Sequence, residues 1–205
     1  MKKILAFILA GLFLLVQTQT AFAVSATKTF GVSATVPLAT GITINASSVN
    51  STTHAFTAVT GTALGFEPLA FNNTNSIWLP DHYFAIDVGT SGGAGVPTVI
   101  VTYVEGTNPN GTGHGLGWKS TLTFVKVVGT TETVLAAHGK KMLKDLSGET
   151  VASTELTGAY LRMYLGVVAK DPAAIPLDPA TSEPFTNADA AGSYTGSLTV
   201  SATVV

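Results

Sequence analysis

The 205 residues contain no cysteine. That excludes disulfide staples, thiol nucleophiles and thiolate metal sites, so the fold must be held by its core or by its partners. Charge is scarce as well. Charged residues make up 11% of the chain, against about 25% in ordinary globular domains. The 10 basic and 12 acidic residues give a formal net charge of -2. They form no basic patch, so nucleic acid is not an expected partner. Beyond residue 23 no stretch has the length and pattern of an amphipathic helix. That argues against a parallel α/β sheet and the nucleotide-binding architectures built on one.

Catalytic patterns are missing too. There is no Gly-x-Ser-x-Gly elbow. Gly111, Gly113, Gly115 and Gly117 match neither a dinucleotide loop nor a phosphate loop. His54, His82, His114 and His138 stand at no close metal-ligand spacing and read as solvent-exposed loop residues. Asp81 with Asp87, or Glu149 with Glu155, could be imagined as acid–base pairs, but nothing in their spacing demands it. The expectation is a non-enzyme without cofactor or metal.

Lys2 and Lys3 precede an uninterrupted apolar run from residue 4 to 16, and Ala21-Phe22-Ala23 has the small-x-small form of a cleavage site. The run is shorter than the roughly 20 residues of a membrane span. Residues 1–23 therefore read as a signal peptide cut between Ala23 and Val24, and the protein as an exported one.

The rest of the chain reads as strands and turns. Residues 29–36 alternate, with Phe30, Val32, Ala34 and Val36 on one face and Pro37 ending the strand. Further strands are expected at 41–44, 77–79, 83–88, 98–104, 119–128, 132–137 and 159–169. Residues 45–53 read as a polar loop, 105–117 as a glycine-rich loop and 140–146 as a helical turn. In 119–128, Leu122, Phe124 and Val127 are expected to face inward. The segment 171–189 carries four prolines and reads as a long loop. At the end, Tyr194, Leu198, Val200, Ala202 and Val204 alternate. Seven to nine strands with turns between them predict an all-β, immunoglobulin-like β-sandwich.

The word Val32-Ser33-Ala34-Thr35-Val36 returns as Val200-Ser201-Ala202-Thr203-Val204. A matched amphipathic strand near each end suggests strand exchange between copies. Trp78 and Trp118 are expected to pack in the core, with Trp118 the better candidate for a sugar platform. Asn45, Asn50, Asn72 and Asn110 begin glycosylation-type triplets, a pattern frequent by chance in such loops.

These features together resemble the chaperone–usher pilins, the major subunits of bacterial fimbriae. The resemblance rests on the early strand Thr27 to Pro37, on the weakly charged all-β body, and on the ending Gly192-Ser193-Tyr194-Thr195-Gly196-Ser197-Leu198-Thr199-Val200. In style it is closest to alpha-type colonisation-factor fimbriae and spore-coat-U-like secreted pilins. The chain departs from the type-1-like group, which carries a disulfide and a penultimate tyrosine; here the penultimate residue is Val204.

The resemblance implies a signal peptide (1–23), an N-terminal donor-strand extension (24–37) and a pilin domain (38–205). It implies a sandwich lacking one strand, completed by a neighbour. Phe30, Val32, Ala34 and Val36 would be the donor side chains. Tyr194, Leu198, Val200, Ala202 and Val204 would line the acceptor groove and pair with the chaperone. The implied partners are further copies of the chain, a periplasmic chaperone, an outer-membrane usher and a host or surface glycan. The implied location is the cell surface, reached through the periplasm. Two other readings stay open: a secreted monomeric carbohydrate-binding sandwich using Trp118 and the 105–117 loop, and a matrix filament assembled without an usher.

Overall fold

The computed structural model describes residues 41–91, 95–111, 114–171 and 176–204. The donor-strand residues Phe30, Val32, Ala34 and Val36, and the cleavage pair Ala23 and Val24, lie outside the described residues.

The described residues form twelve strands, one short helix and two single-turn 3-10 segments. The strands are β1 (Ile42–Asn50), β2 (Phe56–Ala58), β3 (Leu69–Asn72), β4 (Ile77–Pro80), β5 (His82–Thr90) and β6 (Thr98–Glu105). They continue with β7 (Ser120–Val128), β8 (Thr131–Val134), β9 (Lys140–Met142), β10 (Ser147–Val151), β11 (Tyr160–Val167) and β12 (Gly196–Thr203). Helix α1 is Leu116–Lys119. A large antiparallel sheet runs β2-β1-β5-β11-β7-β8, with β9 also pairing β7. A second sheet runs β10-β6-β12, and β3 and β4 form a separate hairpin. The chain is all-β, and its two main sheets pack in a sandwich-like arrangement.

Period-two alternation explains the packing. Phe84, Ile86 and Val88 of β5, Leu122 and Phe124 of β7, and Leu161, Met163 and Leu165 of β11 face the second sheet. Val99 and Val101 of β6 and Leu198, Val200 and Ala202 of β12 meet them from the other side. Val127 does not join this core. It sits with Val49, Tyr83, Ala85, Val125 and Tyr164 in a second cluster on the opposite face of the large sheet. The period decides this: Val127 is an odd number of residues from Leu122 and Phe124.

Two further expectations change. Residues 45–50 are strand rather than loop, because β1 pairs β5 without interruption from Ile42↔Thr90 to Asn50↔His82. Their polar side chains obscured a strand whose stability comes from its partner. Of residues 140–146, only Leu143–Asp145 form the expected helical turn, of 3-10 type, and Lys140–Met142 are the short strand β9. The β7–β8 hairpin forms as expected, turning at Gly129 with φ +60°.

The proline-rich 176–189 segment has no strand of its own, yet it is packed. Phe185 is fully buried and bridges Trp78. Leu177 exchanges hydrogen bonds with Thr121 and Thr123 on the outer face of β7.

Candidate strand-accepting edge

Strand β12 pairs β6 along its whole length, from Gly196↔Glu105 to Thr203↔Thr98. On its other side no strand pairs with it among the described residues. An antiparallel strand points alternate backbone groups to each neighbour, so half of β12's N–H and C=O groups face that open side.

The side chains below this edge are apolar. Leu198, Val200 and Ala202 are buried in the main core, and Val204 packs partly buried against it. Tyr194 precedes them, fully buried, with its ring edge-on to Phe185 at 5.1 Å. Its hydroxyl lies 2.8 Å from both Asn110 Oδ1 and the Ala190 carbonyl. Burial, followed by the charge of Asp189, pushes the Tyr194 phenol up to about 12. Leu198, Val200 and Ala202 thus share one face of β12, and Tyr194 and Val204, just outside the strand, pack with the same core. Gly196 begins the strand where a Cβ would collide with the Tyr103 phenol.

The opposite sheet has a matching gap. Strand β2 pairs β1 only along Ser47–Val49. The Ile42–Asn45 half of β1 therefore has no outer strand among the described residues, while Ile42 and Ile44 belong to the same core as β12. His138, in the turn between β8 and β9, bonds Glu149 of β10 at 2.7 Å. That contact places β10 over the β7–β9 end of the large sheet. The order β10-β6-β12 then puts β12 towards β1, so the two open edges flank one apolar layer.

Among the described residues neither edge strand carries a guarding residue of its own. Exposed edges are ordinarily blunted by lysine, proline or a bulge. The sequences Gly196–Thr203 and Ile42–Asn45 contain no charge and no proline, and the β12–β6 register runs without a shift.

Other sequence candidates resolve differently. Trp118 is partly buried: Lys144 Nζ lies 4.3 Å from its ring centroid and the His114 ring 5.3 Å away. Trp118 lines a cleft of about 390 Å3 together with Tyr103, Glu105, Asn108 and Lys144. Glu105 there accepts the backbone N–H groups of Leu116 and Gly117, both at 2.8 Å. Trp78 packs 5.0 Å from Phe71 and donates Nε1 to Asn187 Oδ1. The two tryptophans support local packing.

The histidines are not all exposed loop residues. His138 is 10% exposed and lies between Glu149 and Glu155. His82 is 16% exposed; its ring nitrogens contact Asp81 and the Gly65 carbonyl. Asp81 adjoins His82 in the chain, but Gly65, Glu149 and Glu155 come from other segments, and the sequence spacing hid those contacts. His54 and His82 do line one cleft of about 460 Å3. Asp81 and Asp87 do not act as a pair: Asp87 holds Arg162 through two 2.7 Å bonds. Three of the four glycosylation-type asparagines use their side chains internally. Asn50 and Asn72 close turns, and Asn110 bonds Asp189. Among the described residues, no group of three His, Asp or Glu side chains could hold a metal ion.

Sequence reasoning missed the buried ion pair between Lys119 and Asp189, at 2.9 Å. Lys119 ends the short helix α1 and Asp189 lies in the proline-rich loop, and nothing in the spacing joins them. No family model, curated protein or solved structure matches the chain.

Proposed function

We propose that the chain is a structural subunit of a bacterial surface pilus, polymerising head-to-tail by donor-strand exchange. The observation that carries this reading is the open, charge-free edge of β12 above Leu198, Val200 and Ala202. Such an edge accepts an extended segment by strand addition, in which main-chain bonds supply affinity and alternate side chains supply register.

The donor is the 24–37 extension of the next subunit, which brings Phe30, Val32, Ala34 and Val36. Burying a phenylalanine and two valines contributes about 1.5–3 kcal/mol each. Each new main-chain hydrogen bond adds about 0.5–1.5 kcal/mol. A donor strand of this size is comparable in strength to the whole stability of a domain, about 5–15 kcal/mol. A head-to-tail contact of this kind does not close on itself, so it yields an open fibre. A periplasmic chaperone would cover the same edge before assembly, and an outer-membrane usher would order the exchange. The absence of charge on the edge fits a surface that is always covered.

The deciding experiment compares cells making the full chain with cells making a chain that lacks 29–36. Electron microscopy and unheated denaturing gels supply the readout. Fibres and a detergent-resistant ladder from the full chain alone support the reading. A single monomer band and no fibres from either chain would overturn it in favour of a soluble binding module. Fibres formed without chaperone and usher would point to the usher-independent matrix filament.

A further inference from the structure

Beside the start of β12, three polar side chains converge in a largely buried site. Lys119 Nζ lies 2.9 Å from Asp189 Oδ1, and the two side chains are 6% and 7% exposed. Asn110 Nδ2 donates to the same Asp189 oxygen at 2.9 Å. The lysine nitrogen and the amide nitrogen can therefore stand no further apart than two hydrogen-bond lengths. The other Asp189 oxygen accepts the Thr186 backbone N–H at 2.7 Å and its hydroxyl at 3.3 Å, which fixes the carboxylate. Asn110 Nδ2 also donates to the His114 carbonyl, and Asn110 Oδ1 accepts the Ala190 N–H at 2.7 Å. The Tyr194 hydroxyl stands 2.8 Å from that same Oδ1. These partners define which end of the amide is oxygen.

The geometry points to an autocatalytic modification site, in which Lys119 and Asn110 join through an isopeptide bond with Asp189 as the proton carrier. The nucleophile, the proton carrier and the oxyanion donors of an acyl transfer each have an occupant. Lys119 supplies the nucleophilic amine. Asp189 touches both the attacking and the leaving nitrogen, as a shuttle must. The Ala190 N–H and the Tyr194 hydroxyl sit where charge develops on the amide oxygen.

The step balances within the chain. Asp189 takes one proton from the Lys119 ammonium. The freed amine attacks Asn110 Cγ, the Nζ–Cγ bond forms and the Cγ–Nδ2 bond breaks. The proton held by Asp189 passes to Nδ2, which leaves as ammonia and carries away the second lysine proton as ammonium. No oxidant or co-reactant is needed.

Two carboxylates compete as acceptors, and both are poorer. Asp189 is held as the anion: burial opposes this, but the Thr186 N–H and the Lys119 and Asn110 side chains outweigh burial and lower its pKa below the ordinary value. Glu183 lies further off, at 3.7 Å, and is engaged by His114 at 2.6 Å. The Pro184 carbonyl, 3.2 Å from Nζ, and the Phe185 ring complete the lysine's surroundings. In a cysteine-free chain such a bond would clamp the β6–α1 loop covalently to the end of α1, one residue before β7. The inference is independent of the pilus reading.

The test is mass spectrometry of the natively purified full chain, intact and after proteolysis. We expect a molecule lighter by one ammonia and a branched peptide that joins Lys119 to Asn110. Lys119→Arg should restore the full sequence mass. An unmodified mass in the wild type would overturn the proposal. So would loss of water, which would implicate Asp189 or Glu183. Loss of ammonia within a linear peptide would also overturn it, since Asn110–Gly111 ring closure gives that product. The decisive measurement uses the wild type, so a variant's failure to fold does not bear on it.

Discussion

His138 Nδ1 lies 2.7 Å from Glu149 Oε1, joining the β8–β9 turn of the large sheet to β10 of the small one. The other ring nitrogen is 3.1 Å from both oxygens of Glu155. Glu155 in turn accepts the Ala152 N–H at 2.9 Å, and Lys141 lies 3.3 Å from Glu149. One imidazole thus ties both layers of the sandwich to a 3-10 turn.

The clip is expected to make stability depend on pH. Burial disfavours the charged His138 ring, but the hydrogen bonds and charges of Glu149 and Glu155 outweigh it and raise its pKa. A raised folded pKa means stability fully present below the unfolded value, about 6.5, and lost as pH rises through the folded value. Glu155 runs the other way. Its pKa is lowered chiefly by the Ala152 N–H and by His138, so its contribution is lost as pH falls through that lowered value. Denaturant midpoints measured from acid to alkaline pH should fall at both ends. His138→Gln should remove the part of the fall that begins just above neutrality, leaving the steeper alkaline loss from the buried tyrosines, and cost about 1–3 kcal/mol near neutrality. An unchanged pH profile in that variant would refute the clip.

Arg162 is bound in a way lysine cannot reproduce. It spans both oxygens of Asp87 and reaches Glu132 at 2.7 Å, while the Phe56 ring lies 4.8 Å from its guanidinium carbon. Lysine lacks the planar fork and the stacking face. Arg162→Lys should therefore destabilise the chain by about 1.5–3 kcal/mol, the scale of a charged hydrogen bond. Equilibrium unfolding with urea would measure it. A cost near zero would mean that solvent already screens the pair.

The proposed donor strand makes an alternation test possible. Val32 and Ser33 are neighbours on opposite faces of an extended strand. Val32→Arg should stop assembly while leaving export intact, because the arginine would have to enter the apolar layer beside Leu198 and Val200. Ser33→Arg should leave the ladder on unheated gels. Normal fibres from Val32→Arg would remove Val32 from the interface.

Much of the fold is legible in the residues, for a definite reason. Strands β5, β6, β7, β11 and β12 bury one face, so their alternation follows the pleat. The buried row of β12 and the tyrosine face of β11 could be read directly. Less was legible where side chains are polar on a paired strand, as at residues 45–50. Val127 went to the wrong face because hydrophobicity alone does not tell one buried side of a sheet from the other. The loop that looked featureless, 176–189, places Phe185 in the core and brings Asp189 to Lys119. No local pattern encodes a contact between side chains about 70 residues apart.

The sequence by itself determined the class of the protein: cysteine-free, weakly charged and all-β, with a terminal strand apolar on one face. Those properties follow from local period and composition, which act within a few residues. Only the tertiary structure decided that β12 lies at an edge among the described strands, that half of β1 has no outer partner there, and that Lys119, Asn110 and Asp189 meet. Strand order and long-range ion pairs depend on which surfaces pack together, and that is fixed by the whole core rather than by any segment of it.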